Sequence, residues 1–107
     1  VVLLRKNIKN MFLSQANFFI KSRPQLKGEG VLQHIYISFH SFVGIVTYLS
    51  NCRKPIVWYE DYFNLEHTKT DYLDNHPHSK VIIGHINNIV NNTPVMNLFE
   101  NIKNNAS

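Results

Sequence analysis

The sequence predicts an α+β domain in which helices pack on a small sheet, and three patterns carry this prediction. Residues 30–52 hold no charged side chain, and their apolar residues recur at helical spacing, which predicts a long one-sided helix. Thr93-Pro94 precedes a second apolar pattern and predicts a short helix with Thr93 as its N-cap. Runs rich in aromatic and β-branched residues predict strands at 18–22, 56–59 and 80–86, with an extension of the last to Val90 left open.

The remaining segments complete a one-domain organisation, since 107 residues suit one domain. Residues 2–14 place Leu4, Ile8 and Phe12 at helical spacing and predict a basic amphipathic helix. We therefore divide the chain into a basic N-terminal extension at 1–17 and a single α+β domain at 18–107. A short strand is expected at Tyr62–Leu65, and a long polar loop at 60–79.

Two other interpretations of residues 30–52 stay open at this point. A strand would alternate Ile35, Ile37 and Phe39 with polar neighbours, but uninterrupted strands of this length are rare. The other is a membrane span, because about 20 apolar residues can cross a bilayer. Polar side chains in the first half, such as Gln33 and Ser38, are costly in lipid, so a helix packed on a sheet is favoured.

Charge and composition favour a polyanionic partner. The formal net charge is +4, residues 1–28 carry six basic side chains and no acid, and five of the seven acids lie between Glu60 and Asp74. Such a balance is typical of proteins that bind nucleic acid. Residues with A+T-rich codons, such as the 14 Asn and 11 Ile, far outnumber the 2 Ala and 3 Arg, which indicates an A+T-rich genome, such as an organelle's.

No catalytic machinery is recognisable, so we predict a binding or structural protein and no enzyme, cofactor or metal. Cys52 is the single cysteine, which excludes an internal disulfide and fits a reducing compartment. His76-Pro77-His78 followed by His85 offers imidazoles, but the spacing matches no standard zinc site. Glycine loops that bind phosphate and serine elbows are also missing.

Several short segments resemble, in order and spacing, one ribosomal family. They are Ile20-Lys21-Ser22 at the end of the first strand, Lys54-Pro55-Ile56 at a turn, Phe63–His67 or His76-Pro77-His78 at a loop, Ile83-Gly84-His85-Ile86 in the last strand, and Thr93-Pro94 at the last helix. The family they resemble is the small-subunit ribosomal protein family S-ten, in its mitochondrial form. The likeness covers about residues 18–103.

The resemblance implies a fold, a partner and a location. The fold would be a ferredoxin-like split β-α-β sandwich, preceded here by the N-terminal helical extension. The protein would be a structural constituent of the small subunit of a mitochondrial ribosome, in the matrix, bound to ribosomal RNA and to neighbouring head proteins through the polar loop. The residues expected at RNA are Lys21, Arg23, Lys27, Arg53, Lys54, Lys80 and His85.

Two further hypotheses belong to other classes of protein. An accessory subunit of a mitochondrial respiratory complex would place a membrane span at 31–50, whereas the ribosomal interpretation needs no membrane and no small-molecule substrate. A small metal-dependent hydrolase would use the loop histidines. The ribosomal interpretation is favoured because segment order, basic residues and composition all agree with it.

Overall fold

Helices make up 72% of the described residues and strands 6%. The computed structural model describes residues 2–64 and 69–105. The predicted ferredoxin-like split β-α-β sandwich is therefore wrong, because the described residues form one sheet of two short strands. In chain order the elements are β1 (Val2–Leu4), α1 (Ile8–Ser22), α2 (Gly28–Asn51), β2 (Ile56–Trp58), α3 (Tyr59–Tyr62), α4 (Asp71–Asp74), α5 (Ser79–Val90) and α6 (Thr93–Asn105).

The N-terminal segment begins as a strand, so the prediction of a helix at 2–14 placed the start of that helix too early. β1 pairs in parallel with β2, and Val2 lies opposite Ile56. The helix begins only at Ile8, because the Asn7 side chain accepts a hydrogen bond from the Asn10 N–H at 3.0 Å and caps it.

Helix α1 also crosses residue 17, where the sequence predicts a boundary between extension and domain, and the strand predicted at 18–22 is wrong. Residues 18–22 are its last turns rather than a strand, since Phe12, Ala16 and Ile20 continue one helical face into the core. Phe12, which lies in the predicted N-terminal extension at 1–17, is completely buried.

The long helix predicted in the uncharged stretch is confirmed as α2. Its inner face buries Val31, Ile35, Phe42 and Val46, at spacings of four, seven and four residues. The strand alternative is therefore wrong. Within 2–64 and 69–105, no helix combines the length and apolarity that a bilayer crossing requires.

Residues 80–86 form part of helix α5, which corrects the strand predicted there. Ile82, Ile86 and Ile89 are buried at spacings of four and three residues, as on one face of a helix. The β-branched composition indicated a strand, but packing of this face against α1 and α2 decides the structure.

The region predicted as a polar loop contains two short helices. Tyr62 closes α3 instead of opening a strand, and Leu65 lies outside the described residues. Within α4, Leu73 is completely buried, and its N–H donates a 2.9 Å hydrogen bond to the buried Asn17 side chain of α1. This bond fixes α4 against α1.

The predicted C-terminal helix is confirmed as α6, with its cap one residue earlier than expected. Asn92 Oδ1 accepts a hydrogen bond from the Val95 N–H at 3.3 Å, whereas Thr93 is already the first helical residue. α6 packs on α2, where the Phe99 ring lies 5.6 Å from Phe42, centroid to centroid. The core thus lies between α2 on one side and α1, α5 and α6 on the other.

Candidate nucleic-acid interface

The residues predicted at RNA fall into three places along α2. Lys21, Arg23 and Lys27 lie where α1 turns into α2, and Arg53 and Lys54 follow the other end of α2. A helix of 24 residues is about 36 Å long, so these two sets cannot form one patch. Lys80 joins the first set, and His85 lies beside the middle of α2.

Contacts between helix ends place Lys80 with the first set. A Cβ built on Gly28, the first residue of α2, would lie 3.0 Å from the His78 ring, which immediately precedes α5. The N-termini of α2 and α5 therefore adjoin. We call Lys21, Arg23, Lys27 and Lys80 the basic cluster.

Arg23 is held in position by α2. Its Nη1 donates a hydrogen bond of 3.1 Å to His34 Nε2, which must be the acceptor because a guanidinium has only donors. The His34 ring stacks on Phe19, with 4.7 Å between centroids and 25° between planes. One turn of α1 and one of α2 thus orient the cation, while Phe18 beside them is 61% exposed.

Lys21 faces α4 across a shallow groove of about 510 Å³. Its Nζ lies 5.8 Å from the centre of the exposed Tyr72 ring, a cation–π distance. The groove is lined by Ile20, Lys21, Pro24, Asp71, Tyr72, Asn75, His76 and Pro77. The cluster therefore combines cations, histidines and an open aromatic ring with one lining carboxylate.

The three ion pairs found in the described residues involve no member of the basic cluster. Within 2–64 and 69–105, the ion pairs are Arg5–Glu60 at 3.3 Å, Lys6–Asp61 at 2.8 Å and Lys103–Glu100 at 3.4 Å. The sequence predicts that the acidic loop contacts a neighbouring protein. The first two acids of that loop, Glu60 and Asp61, pair with this chain's own N-terminal segment.

The cations of the basic cluster, by contrast, form no ion pair with a carboxylate of the described residues, and the same holds for Arg53 and Lys54. Glu29, Asp71 and Asp74 are the described acids outside the three pairs. Asp71 accepts a weak hydrogen bond of 3.4 Å from Asn17 Nδ2, and Asp74 accepts one of 3.0 Å from Thr70. The cluster thus keeps a net positive charge.

The carboxyl group of Glu60 has a pKa below its ordinary value. Its partial burial raises the pKa, but hydrogen bonds from the backbone N–H groups of Asn7 and Lys6 and of Glu60 itself, with the nearby Arg5 charge, outweigh burial and lower the pKa overall. The Asn7 and Lys6 bonds measure 2.6 Å and 3.0 Å. Glu60 is therefore an anion held at the N-terminus of α1.

Arg53 and Lys54 lie on a second groove, of about 690 Å³, between the end of α2 and α6. Its lining contains no acid and comprises Leu49, Ser50, Asn51, Cys52, Arg53, Lys54, Ile56, Leu98, Asn101 and Ile102. The Cys52 thiol is partly exposed and donates to the Tyr48 carbonyl at 3.2 Å. This groove offers two cations and amides above an apolar floor.

His85 of α5 contacts α2. Its Nδ1 lies 2.6 Å from the hydroxyl of Tyr36 on α2, and the side chain is half-buried. The loop histidines remain near one another, with 5.8 Å between the His76 and His78 ring centroids. In the described part of the chain, no three His, Cys, Asp or Glu side chains are arranged to hold a metal ion.

Sequence reasoning missed His34 and Tyr72 as neighbours of the basic cluster and Asn17 as the residue that holds α4 on α1. His34 and Tyr72 meet Arg23 and Lys21 only through the packing of α2 and α4 on α1, which no local pattern signals. Asn17 gives a detectable signal, because an amide on the apolar face of a helix must find a hydrogen-bond partner when buried.

No protein-family model matches the chain, and searches of curated proteins and of solved structures return no significant match. The resemblance to S-ten therefore rests on segment order alone, and the segments at 18–22 and 80–86 are helices where that order needs strands. Fold and site together describe a small, mainly helical protein with a cation-rich end.

Proposed function

We propose that this chain is a non-catalytic, RNA-binding structural subunit of a ribonucleoprotein particle, and that the small subunit of a mitochondrial ribosome is that particle. One observation carries the proposal: within the described residues the basic cluster forms no ion pair, whereas Arg5, Lys6 and Lys103 each pair with a carboxylate. Cations that pair with no carboxylate of the described residues are available to neutralise phosphates, which supplies most of the affinity for RNA.

The surroundings of the basic cluster suit single-stranded RNA. Phe18 and Tyr72 expose aromatic rings beside Arg23 and Lys21, and such rings can stack with unpaired bases. The N-termini of α2 and α5 meet at the cluster without side-chain caps, so their backbone N–H groups add positive potential for a phosphate.

The choice of particle is supported by composition. The A+T-rich residue usage fits a gene of an organelle, and the net positive charge fits a subunit of an RNA-containing particle. Residence in the matrix and contact with neighbouring ribosomal proteins are part of this proposal. An S-ten fold is not, since the structure has a different architecture.

RNA binding is tested by fluorescence anisotropy with a labelled A+U-rich 12-nucleotide single strand over a series of salt concentrations. The variant Lys21→Gln/Arg23→Gln/Lys27→Gln/Lys80→Gln should bind at least tenfold more weakly. The slope of log affinity against log salt should fall by about 0.7 for each phosphate that the variant no longer neutralises. A matched control, Lys6→Gln/Lys103→Gln, removes paired cations and should change neither quantity. Equal weakening in both variants would contradict the role of the basic cluster.

The particle is tested separately, by sedimentation of mitochondrial extract. The native chain should migrate with the small ribosomal subunit and move to light fractions after nuclease treatment. Migration with another nuclease-sensitive particle would overturn the ribosomal assignment and leave RNA binding intact. Migration in light fractions without nuclease would count against both.

A further inference from the structure

The groove between α1 and α4 contains a carboxylate that phosphate binding does not require. Asp71 lines this groove with Lys21, yet the two side chains form no ion pair in the described residues. A carboxylate repels phosphates, whereas it accepts hydrogen bonds from the N–H groups of an unpaired base. Asp71 therefore indicates that the groove recognises a base as well as the RNA backbone.

Asn17 of α1 positions the Asp71 carboxylate. The buried Asn17 side chain accepts a hydrogen bond from the Leu73 N–H at 2.9 Å, and its Nδ2 donates to Asp71 Oδ1 at 3.4 Å. The hydrogen bonds of the described residues leave Asp71 Oδ2 without a protein donor. Buried groups thus anchor α4 while one carboxylate oxygen stays available to a ligand, and such preorganisation lowers the cost of binding.

Asn75 supplies a second acceptor to the same groove. Its Nδ2 donates to the Asp71 backbone carbonyl at 2.9 Å, so its Oδ1 is available to a ligand. Lys21 Nζ supplies a charged donor, and the Tyr72 ring, 44% exposed, supplies a flat surface for stacking. The groove, of about 510 Å³, therefore combines two acceptors, one cationic donor and an aromatic ring.

Guanine is the RNA base that complements this set of groups. Its pairing edge carries two adjacent donors, N1–H and the N2 amino group, next to the acceptor O6. The pairing edges of adenine, cytosine and uracil each carry a single donor group. Any of these three bases would leave one acceptor of the groove without a partner, which lowers the affinity.

We propose that the groove between α1 and α4 binds an unpaired guanine of the RNA. The Asp71 carboxylate accepts from N1–H and the N2 amino group, Asn75 Oδ1 accepts the second N2 hydrogen, and Lys21 donates to O6. Tyr72 stacks on the plane of the base. This inference rests on the RNA binding proposed above and adds base selectivity to it.

The test is fluorescence anisotropy of the full chain with labelled 12-nucleotide oligouridine strands that differ at one central position. That position carries guanine, adenine or inosine, which lacks the N2 amino group. We expect the guanine strand to bind about fivefold more tightly than the inosine strand and about tenfold more tightly than the adenine strand, because each lost hydrogen bond weakens binding. Similar affinity for all three strands would overturn the inference and leave RNA binding intact, whereas no binding of any strand would contradict both.

Two single-charge variants locate the preference. Asp71→Asn and Asp74→Asn each remove one exposed carboxylate of α4, so any gain in attraction for phosphates should be the same in both. Asp74 accepts a hydrogen bond from Thr70 and does not line the groove. The preference for guanine over inosine should fall below about twofold in Asp71→Asn and stay near about fivefold in Asp74→Asn. An unchanged preference in Asp71→Asn, or displacement of the guanine strand by an equal concentration of GMP, would overturn the proposal.

Discussion

Glu60 connects three segments of the chain through one carboxylate. It accepts hydrogen bonds from the N–H groups of Lys6 and Asn7, just before α1, and lies 3.3 Å from Arg5 Nε. The guanidinium of Arg5 in turn lies over the Tyr59 ring, 4.7 Å from its centre. The sequence predicts Glu60 in an exposed polar loop, but its carboxylate binds the segment between β1 and α1.

Glu60→Gln should lower the free energy of unfolding by about 1 kcal/mol at pH 7, because it removes an anion from a helix N-terminus. The pKa of Glu60 is lower in the folded chain than in the unfolded chain. Ionised Glu60 therefore stabilises the fold above the ordinary carboxyl pKa, and this contribution disappears as the pH falls through the folded-state pKa. Urea denaturation at pH 7 and in acid should show the difference between variant and wild type shrinking.

Glu100→Gln is the control for this measurement. Glu100 is more exposed and pairs only with Lys103 on the same helix, so its loss should cost less than about 0.5 kcal/mol at either pH. A Glu60→Gln effect that is the same in acid as at pH 7 would contradict the proposed ionic origin.

The helices and strands divide into those that local sequence determines and those that packing determines. α2, β2 and α6 follow from helical spacing, a β-branched run and a Pro near a helix start, and all three were predictable. α5 was not, because Val81, Ile82 and Ile83 favour a strand locally and only burial of Ile82, Ile86 and Ile89 against neighbouring helices selects a helix. β1 was missed because its pairing partner, β2, lies more than 50 residues away.

Gly84→Ala tests whether residues 80–86 are helical in solution. A Cβ at Gly84 would meet no atom within 4 Å, and alanine in a helix interior is favoured over glycine by about 0.5–1 kcal/mol. We expect a rise of that size in the free energy of unfolding, measured by urea denaturation. Gly44→Ala in α2, which is equally open, should give the same gain.

Gly28→Ala is also a glycine-to-alanine change in a helix, but we expect no stabilisation from it. Its Cβ would lie 3.0 Å from the His78 ring, so crowding should cancel the gain. Stabilisation at Gly44 without stabilisation at Gly84 would indicate that α5 is not a helix in solution.

The distribution of charge over the molecule separates cations that are paired within the fold from cations that we propose bind RNA. Arg5, Lys6 and Lys103 pair with carboxylates, whereas the basic cluster and the Arg53-Lys54 turn do not pair with any in the described residues. Sequence alone indicated three of the four cations of the basic cluster, because residues 1–28 carry six basic side chains and no acid. It could not show which cations are paired, because each long-range pair joins residues more than 50 positions apart.

This separation predicts opposite effects for two kinds of charge removal. The four-residue variant of the basic cluster lowers the formal net charge from +4 to zero, yet removes no ion pair found in the described residues. Its free energy of unfolding should change by less than about 1 kcal/mol, since exposed substitutions are nearly neutral and less self-repulsion is favourable.

Arg5→Gln removes one charge but breaks the contacts with Glu60 and Tyr59, so it should cost about 1–2 kcal/mol. Affinity for the RNA probe should follow the reverse order: a decrease of tenfold or more in the four-residue variant and little change in Arg5→Gln. Urea denaturation and anisotropy on the same preparations check both orders. One result would contradict this division between folding and binding cations: that the variant with the lower free energy of unfolding is also the variant with the weaker affinity for RNA.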